Sequence, residues 1–308
     1  MSHTVLNEMR KQNRTDFIEQ IFLPNLPKWL PSRLAFWLMK KFARRKLFTE
    51  ALDLVLQART KDSLLQSMLA LDSNAEIAEF SYQQSLCRLL DMSDAVRGAS
   101  VLDDRNIDVI GAWPKVPGFV AISFHFGTGL IGLAHLRQQS GPCAFVSRPY
   151  GPNELKHRPY FARGVAARLD GIAEACAHPI IFTGGNFGVL TNLLGNGVSV
   201  CGLIDTPIFN EQRFVSGKLF GRDVSLPSGL LRLASETSVP VVIFSVVPNL
   251  KTGRRTLRIE APMHAAHPDD FSIIASKATE HLQECIEKLP AAWYFWPQFA
   301  RLSKSKFI

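Results

Sequence analysis

The sequence predicts an α/β fold in which helices flank a central, mostly parallel sheet, with a helical arm at the N-terminus. The chain has 308 residues, of which 46% are hydrophobic and 20% charged, so it can bury one large core. From residue 119 onward, short apolar runs typical of strands alternate with segments of helical periodicity. Residues 47–98 instead carry apolar side chains at three- and four-residue steps, which indicates helices throughout.

The apolar runs and the helical periods set the order of the core elements. Strands are predicted at 119–124, 143–147, 179–182, 198–204, 239–247 and 256–260. Helices are predicted at about 128–138, 152–169, 186–195, 227–237 and 269–288. The strands are apolar along their length, as in a sheet buried on both faces, and the last one is expected to pair back on the sheet.

Three segments of different character are expected along the chain. Residues 1–46 form a basic amphipathic segment, residues 47–112 a helical arm and residues 113–308 the α/β core. The turn-rich segment Trp113–Gly118 separates the arm from the first strand of the core.

Positive charge is concentrated in the first segment. The whole chain has a formal net charge of +8, and residues 1–46 carry ten basic and three acidic side chains. Between Trp29 and Lys46, apolar residues recur at helical spacing: Leu30, Leu34, Trp37, Leu38 and Phe42. This pattern predicts a helix that lies on an anionic membrane surface, although a helix that packs its apolar stripe on the core is the alternative.

Two other uses of the basic segment are not favoured. Its longest apolar run, Leu34–Met39, is much shorter than the roughly 20 residues that span a bilayer, and no signal peptide precedes it. No nucleic-acid module signature accompanies the positive charge, so nucleic acid is not an expected partner.

Two polar residues follow predicted strands directly. His125 follows the strand at 119–124, and Asp205 follows the strand at 198–204. In open parallel sheets, ligands bind at the carboxyl ends of the strands. Gly127 and Gly129 leave little bulk around the imidazole, which suits a neutral base that takes a hydroxyl proton near pH 7. His125 is therefore the predicted general base, with a hydrogen-bonded structural histidine as the alternative.

Other chemistries have weaker signals in the sequence. The five cysteines have no tight spacing, which favours neither a zinc knuckle nor a disulfide framework. The pair His264 and His267 has no acidic or cysteine partner at ligand spacing, so no metal is expected. No serine occupies a G-x-S-x-G elbow and no cysteine has an obvious base, so direct transfer is favoured over a covalent intermediate.

Several sequence blocks occur in an order that is similar to one known family. They are Phe124–Gly127, Val146–Pro149, Asn186–Asp205, Phe220–Arg222, Pro227–Gly229, Leu233–Val242 and Pro290–Trp296. Together they resemble the histidine box and later blocks of the lysophospholipid acyltransferase superfamily, most closely its lipid A late acyltransferase branch of lauroyl and myristoyl transferases. The resemblance covers about residues 30 to 300.

This resemblance implies an acyltransferase that needs no cofactor. The donor would be a thioester of acyl carrier protein or of coenzyme A. The acceptor would be a hydroxyl or amine of a lipid A-like glycolipid or another anionic lipid. The resemblance also implies a peripheral position on the cytoplasmic face of a bacterial inner membrane.

The sequence departs from the family's histidine box at one point. The family places an aspartate or glutamate a few residues after the histidine, whereas Thr-Gly-Leu-Ile follows here at residues 128–131. Asp205 is the first candidate to replace that acid because it should stand on the same edge of the sheet as His125, with capping of the next turn as its alternative role. Glu174 and Glu236 are weaker candidates.

Substrate-binding roles are expected for a further set of residues: Arg148, Arg163, Gly127, Thr128, Ser228 and Gly229. Arg148 resembles the family's arginine, and a guanidinium suits a phosphate or carboxylate, although a structural ion pair explains either arginine. Ser228 and Gly229 offer backbone amides at a helix start, which bind an anion or simply cap the helix. The aromatic cluster at 293–296 is expected in the core, or at a lipid interface.

The missing acid leaves two other functions open. The first is that the enzyme transfers an aminoacyl or unusual acyl group from a dedicated carrier protein, as superfamily relatives that attach glycine to lipid A do. An amine acceptor, which is the better nucleophile when neutral, would also relax the need for a histidine–acid pair. The other possibility is a catalytically degenerate protein that binds lipid or a carrier on the same scaffold.

Overall fold

The computed structural model describes residues 3–45, 47–102, 107–151, 155–208 and 213–303. Helices fill the N-terminal third: α1 (His3–Asp16), a π-helix (Phe17–Phe22), α2 (Leu26–Trp29), α3 (Ser32–Ala43), α4 (Thr49–Thr60), α5 (Ser63–Met68), α6 (Asn74–Arg97) and a 3-10 turn (Gly98–Leu102). The helical arm predicted from residue 47 is confirmed as far as Arg97.

Strands and helices alternate over most of the rest of the chain. The strands are β1 (Ile107–Ile110), β2 (Val120–Ser123), β3 (Cys143–Ser147), β4 (Ile181–Phe182), β5 (Ser199–Leu203), β6 (Phe214–Leu219), β7 (Arg222–Pro227), β8 (Pro240–Pro248), β9 (Arg255–Ile259) and β10 (Met263–His264). The helices are α7 (Leu130–Ser140), α8 (Pro159–Cys176), α9 (Phe187–Gly195), α10 (Gly229–Thr237), α11 (Pro268–Lys288) and α12 (Phe299–Leu302). Two 3-10 turns, Pro290–Ala292 and Trp296–Gln298, precede α12.

The main sheet has the strand order β1-β9-β8-β2-β5-β3-β4, with β10 beside β8. Strands β8, β2, β5, β3 and β4 run parallel to one another, whereas β9 and β10 pair antiparallel with β8. The predicted α/β class, with its mostly parallel sheet, is confirmed. The expected return of the strand at 256–260 is the antiparallel pairing of β9.

The sheet is buried on both faces, as its apolar strands predict. On β2, Val120 and Ile122 belong to one buried cluster, while Ala121 belongs to a second cluster on the opposite face. All three side chains are fully buried. Because neighbouring residues of a strand point to opposite faces, a central strand that is apolar at every position requires a layer on each side.

The predicted helix over residues 29–46 is interrupted at Leu30 and Pro31. A residue before proline is sterically excluded from the helical region, and Leu30 is extended, with φ −131° and ψ 151°. Helix α3 starts after this break and buries Ala35, Met39 and Ala43 against the arm. The packing alternative is therefore right for one face of this helix. Lys46, the predicted end, lies outside the described residues.

The helix predicted at 152–169 was placed too early. Residues 152–154 lie outside the described part of the chain, and α8 spans Pro159–Cys176. Pro159 stands in the first turn, where its lack of an N–H costs nothing, whereas inside a helix it would break the hydrogen-bond ladder.

The sequence prediction missed strand β1, the β6–β7 hairpin and the two-residue strand β10. Strand β1 joins the sheet by pairing parallel with β9, so the sheet begins at Ile107, ahead of the boundary at residue 113. Strands β6 and β7 form a hairpin whose loop residues, Phe220 and Gly221, have φ of 53° and 76°. Positive φ at both positions of a two-residue loop is the geometry that matches the twist of a hairpin.

Within the described residues, the helices are all too short or too polar to cross a bilayer.

Candidate active site

Parallel pairing of β2 with β5 places His125 beside Asp205. The last paired residues are Ser123 and Leu203, and the amide of Ile204 still donates to the carbonyl oxygen of Ser123 at 3.0 Å. His125 and Asp205 each lie two residues beyond these partners. The prediction that both residues stand at one sheet edge is confirmed, and the register brings them into direct contact.

The Asp205 carboxylate binds both the ring and the backbone of His125. His125 Nδ1 lies 2.8 Å from Asp205 Oδ1, and the His125 amide donates to both carboxylate oxygens at 2.9 and 3.0 Å. Trp293 Nε1 donates to Oδ2 at 2.9 Å. The side chain of Asp205 is 1% exposed, so these donors replace the water that a buried carboxylate loses. The alternative role in capping the following turn is not what this side chain does.

The contact with Asp205 determines the role of each ring nitrogen of His125. A carboxylate only accepts hydrogen bonds, so Nδ1 of His125 carries the proton. Nε2 makes no hydrogen bond to the described residues and keeps its lone pair. The His125 side chain is 29% exposed, so it is accessible to a ligand while its partner is buried.

An extended segment after α11 holds the His125 backbone from the other side. Phe126 and Trp293 form an antiparallel bridge. The Tyr294 amide donates to the carbonyl oxygen of His125 at 2.9 Å, and the Gly127 amide donates to the carbonyl oxygen of Ala292 at 3.0 Å. The loop that carries His125 is therefore braced by backbone hydrogen bonds rather than free to move.

Gly127 fits a position that other residues would strain. Its φ is 63°, and a Cβ built on it would lie 2.0 Å from the carbonyl oxygen of Val246. Both the left-handed backbone and the close approach of β8 require glycine here. Glycine at this position therefore serves the packing of the loop against β8 as well as the space beside the imidazole.

A cavity opens next to His125 at the carboxyl edge of the sheet. One side is apolar and contains Leu130, Leu133, Phe145, Ile172, Leu203 and Phe244. The other side is polar and contains Asp91, Arg168 and Tyr294. The ring of Phe295 meets the His125 ring edge-on, with centroids 4.0 Å apart.

On the polar side of the cavity, an arginine forms a salt bridge with a buried aspartate. Arg168 Nη1, from α8, pairs with Asp91 Oδ2, from α6. Asp91 is 4% exposed, whereas the Arg168 side chain is 37% exposed and makes no further hydrogen bond to the described residues. Arg168 therefore has donors left for a ligand.

Tyr294 closes the polar side as a neutral phenol. Burial, reinforced by the nearby Asp91 carboxylate, raises the pKa of Tyr294 well above its ordinary value. Its hydroxyl donates to the carbonyl oxygen of Gly127 at 2.9 Å, and Arg88 lies over its ring at 4.7 Å. Tyr294 thus ties the polar wall to the loop that carries the histidine.

The structure separates the predicted substrate-binding residues. Gly127 lines the cavity, whereas Thr128 is fully buried and its amide donates to the carbonyl oxygen of Val246 at 3.2 Å. Arg148 is exposed beside Tyr150, and Arg163 is exposed on α8; neither lines the cavity.

Ser228 and Gly229, at the start of α10, also lie outside the lining of the cavity. The Ser228 amide is occupied by the carbonyl oxygen of Arg213 at 3.1 Å. Their substrate-binding roles, like those of Thr128, Arg148 and Arg163, stay predictions.

The weaker acid candidates have other surroundings. Glu236 pairs with Arg232 on the surface of α10, four residues away. Glu174 is exposed near the end of α8, where its carboxylate lies against Gly98. Neither carboxylate contacts His125.

A second histidine contacts a carboxylate, but it lies in the core. His281 Nδ1 is 2.8 Å from Glu260 Oε1, and its Nε2 is 2.7 Å from Ser245 Oγ. Burial lowers the pKa of His281, so the ring is neutral, and both nitrogens are engaged. His281 does not line the cavity beside His125.

Four residues of the site were not predicted as functional: Asp91, Arg168, Trp293 and Tyr294. Asp91 and Arg168 belong to helices whose periodicity shows which residues share a face but not which helices meet. Trp293 was correctly expected in the core, and it is fully buried. The signal for its second role was its indole N–H, since a buried tryptophan needs an acceptor.

Comparison with known proteins gives one family. Residues 106–301 match the family model described as bacterial lipid A biosynthesis acyltransferase. No curated protein matches the chain. The match spans the sheet, the His125 loop and the segment that carries Trp293.

Proposed function

This chain belongs to the bacterial lipid A biosynthesis acyltransferase family and is therefore an acyltransferase, and on that basis we propose that His125 is its general base. The proposed reaction moves an acyl group from a thioester of acyl carrier protein or coenzyme A to a hydroxyl or amine. The acceptor is a lipid A-like glycolipid or another anionic lipid. The observation that carries the proposal is the 2.8 Å contact between His125 Nδ1 and Asp205 Oδ1 at the mouth of a cavity.

The proposed chemistry needs only proton transfer and direct attack. His125 Nε2 takes the proton of the acceptor hydroxyl or amine, and the acceptor atom bonds to the thioester carbonyl carbon. Asp205 stabilises the imidazolium that results, since its carboxylate already holds the Nδ1 proton. When the C–S bond breaks, the imidazolium returns its proton to the departing thiolate. The products are an acyl ester or amide and a free thiol.

The oxyanion of the tetrahedral intermediate needs stabilisation from elsewhere in the cavity. The amides of Gly127 and Thr128 already donate to protein carbonyl oxygens. The start of α7 remains available, because Gly129 and Leu130 line the cavity there. The positive end of a helix dipole favours negative charge at this position.

The apolar side of the cavity suits the acyl chain of the donor. Leu130, which stands where the family's box has its acid, contributes to this wall together with Leu133 and Phe244. The cavity has a volume of about 50 Å³, whereas one water molecule takes about 30 Å³ of liquid. A long acyl chain therefore requires these side chains to move.

Arg168 is the proposed anion-binding residue of the acceptor site. It lines the cavity with His125, and its unused donors suit a phosphate or carboxylate of the lipid headgroup. Asp91 holds the guanidinium in place. The sequence had favoured Arg148, which resembles the family's arginine, and Arg163 in the following helix for this task.

Aminoacyl transfer from a dedicated carrier protein is the second reaction to be tested. It was favoured by the absence of an acid after His125, because an amine acceptor needs less help from a base. Asp205 now supplies a carboxylate at the ring, which removes that reason for preferring it. Donor profiling with purified protein separates the two reactions, since exclusive use of long-chain thioesters would exclude aminoacyl transfer.

His125→Ala tests the proposed mechanism. We expect transfer to fall by about a hundredfold to ten-thousandfold, the usual contribution of a general base. The thermal midpoint should change by only a few degrees, because the His125 side chain is partly exposed. Without the ring, the buried Asp205 carboxylate still accepts hydrogen bonds from the backbone amide of residue 125. The measurement is thioester consumption and lipid product formation under identical conditions.

His264→Ala is the matched control, since His264 is exposed on β10 and outside the cavity. It should transfer like the unmodified enzyme. Full activity in His125→Ala would contradict the mechanism.

A further inference from the structure

The apolar side of the cavity beside His125 leaves room for only a few atoms. Its side chains are those of Leu130, Leu133, Phe145, Ile172, Leu203 and Phe244. The whole cavity has a volume of about 50 Å³. A carbon of an acyl chain takes roughly the space of a water molecule, about 30 Å³, so roughly two or three carbons fill it. The eleven carbons beyond the carbonyl of a lauroyl group need about 330 Å³.

Helix α7 holds Phe244, on β8, against this cavity. The side chain lines the cavity and yet is only 2% exposed. Its ring lies in the notch that Gly132 leaves on α7, because a Cβ built on Gly132 would stand 2.5 Å from Cε2 of Phe244. The ring and the helix are therefore packed without a gap, and the ring cannot move toward α7.

Trp113 holds the same ring from a second direction. The rings of Trp113 and Phe244 meet edge-to-face, with centroids 5.3 Å apart, and Trp113 also stacks on Phe119 at 6.0 Å. Trp113 Nε1 donates to Nδ1 of His135, on α7, at 2.9 Å. Burial lowers the pKa of His135, in keeping with a neutral ring whose Nδ1 accepts this bond. Displacing Phe244 would therefore disturb a tryptophan that is itself tied to α7.

Packed core also lies behind the other strands of this wall. Cys143 precedes Phe145 by two residues on β3, and Cys201 precedes Leu203 by two residues on β5, so each pair shares a face of the sheet. Both cysteines are fully buried, in the same apolar cluster as Phe244. A longer chain would therefore have to displace core side chains in this direction as well.

The character of the wall selects against a charged acyl group. All six of its side chains are hydrocarbon and offer no hydrogen-bond acceptor. An ammonium group placed there would lose its water without gaining a partner, which is unfavourable, whereas a hydrocarbon chain gains from leaving water.

From this packing we propose that the enzyme transfers a short, uncharged acyl group of about two to four carbons, and that Phe244 is the residue that sets this limit. The thioester carbonyl lies at the mouth beside His125, and the chain ends against the Phe244 ring. The bond changes are those of the proposed reaction: the C–S bond breaks, a C–O or C–N bond forms, and His125 passes the acceptor proton to the thiolate. The inference rests on the proposed function, whose acyl group it names, and it differs from the lauroyl and myristoyl groups that the sequence resemblance suggested.

The first test is the chain-length profile of the full-length protein. Thioesters of coenzyme A and of acyl carrier protein with two, four, eight or twelve carbons are supplied with detergent-dispersed lipid A, and thiol release and acylated product are measured. From acetyl to butyryl, each added carbon should raise kcat/KM by about fourfold. The lauroyl thioester should fall at least about tenfold below butyryl, the usual penalty for a group that a hydrophobic pocket cannot hold.

Substitution of Phe244 tests its role as the limit. Phe244→Ala and Phe244→Leu should raise kcat/KM for the octanoyl thioester relative to butyryl by about tenfold, since either change opens the end of the cavity. Phe244→Leu keeps more of the apolar volume and provides the answer if Phe244→Ala does not fold. Phe119→Leu is the matched control, because Phe119 is fully buried in the same aromatic group but does not line the cavity. Its chain-length profile should be unchanged.

Binding measurements test the same limit without turnover. The probes are unreactive S-butyl and S-dodecyl thioethers of 4′-phosphopantetheine, the arm that coenzyme A and acyl carrier protein share. The butyl thioether should bind at least about tenfold more tightly to the unmodified protein, and Phe244→Leu should reduce this difference.

The highest kcat/KM for lauroyl, or equal binding of the two thioethers, would overturn the short-chain limit and leave the proposed acyl transfer intact. Faster transfer of a glycyl than of a butyryl group would contradict the preference for an uncharged chain. An unchanged profile in Phe244→Leu would remove the role of Phe244. Failure of every thioester to react, with the butyl thioether still bound more tightly, would count against the proposed reaction and support the pocket.

Discussion

Asp205 performs several tasks with one carboxylate. It binds the imidazole of His125, the His125 backbone amide and the indole of Trp293 while it is almost completely buried. Each of these donors would be left without a partner if the carboxylate were removed, at a cost of about 1–3 kcal/mol for a buried group. A substitution that keeps the shape of the side chain is therefore the informative one.

Asp205→Asn should lower turnover strongly and leave the fold intact. The asparagine oxygen can still accept from Trp293 or from the backbone, but an amide facing Nδ1 favours the wrong tautomer of His125. In a well-studied triad this change costs about ten-thousandfold in turnover, and we expect a loss of about a hundredfold or more here. The measurement is kcat for transfer, with the thermal midpoint recorded beside it.

Glu236→Gln is the control for this carboxylate-to-amide change, because Glu236 is exposed and pairs with Arg232 on the surface of α10. It should keep its full turnover. Turnover at the unmodified level in Asp205→Asn would show that the contact with His125 is structural.

A substitution at Arg168 tests the proposed binding of the acceptor's anionic group. We expect Arg168→Gln to raise KM for an anionic acceptor by about tenfold or more, the loss of one charge-assisted contact, with a smaller change in kcat. The guanidinium would bind the headgroup in the ground state and the transition state alike. Steady-state kinetics with an anionic acceptor and a neutral analogue provide the measurement.

Arg163→Gln is the matched control on the same helix, since Arg163 is exposed outside the cavity. A second variant, Arg168→Gln/Asp91→Asn, avoids leaving the buried carboxylate unpaired. A rise in KM for Arg163→Gln but not for Arg168→Gln would contradict the proposed role of Arg168 and favour the sequence-based candidate Arg163.

Among the elements, the π-helix at Phe17–Phe22 carries a buried acid. Glu19 is 6% exposed, and its carboxylate accepts a hydrogen bond from the Phe48 amide at 2.6 Å. Burial raises the pKa of Glu19 from 4.5 to about 7; Asp16 raises it further, while the Phe48 hydrogen bond, Arg88 and Arg158 oppose the rise. The π-helix is thus joined to the loop after α3 by a group that titrates near neutrality.

Stability should fall as the pH rises through the range set by Glu19. Between pH 4.5 and about 7 the folded state binds more protons at this site than the unfolded state, so ionisation favours unfolding. Above about pH 7 this loss is complete and amounts to roughly 3 kcal/mol at most. Glu19→Gln, which can still accept from Phe48, should recover most of it at pH 8 and little at pH 5.

Urea unfolding at pH 5, 6, 7 and 8 measures this effect in both proteins. Glu79→Gln serves as the control, because Glu79 is exposed on α6. Parallel pH profiles for Glu19→Gln and the unmodified protein would mean that Glu19 does not titrate in this range.

At the scale of the whole molecule, the N-terminal helices contact the helices that line the cavity beside His125. Asp16 in α1 pairs with Arg158, just before α8, at 2.8 Å, and α8 also carries Arg168 on the cavity wall. Helix α6 supplies Asp91 to the same wall and packs against α3 through Leu86 and Leu89. The helices that supply Asp91 and Arg168 to the cavity are therefore also packed against the N-terminal helices.

The sequence by itself determined the layers of the fold and the position of His125 and Asp205 at one edge of the sheet. Continuous apolar strands require helices on both faces, and a polar residue directly after such a strand falls on the ligand-binding edge. His125 and Asp205 were found in this way. The predicted helix boundaries were wrong near Pro31 and Pro159. The apolar periodicity continues through these positions, whereas the steric effect of proline interrupts the helix there.

Only the tertiary structure decided which groups touch. The parallel register of β2 and β5 converts two strand ends, distant in the chain, into a hydrogen-bonded pair. Arg168 and Asp91 come from helices whose spacing in sequence carries no information about their contact. The same holds for α3, where periodicity predicted one apolar stripe of Leu34, Trp37, Leu38 and Phe42. In the folded chain Leu34 and Trp37 are exposed, whereas Leu38 and Phe42 are half-buried. A sequence specifies which side chains share a face, whereas the choice of partner for that face depends on the closest packing of the whole chain.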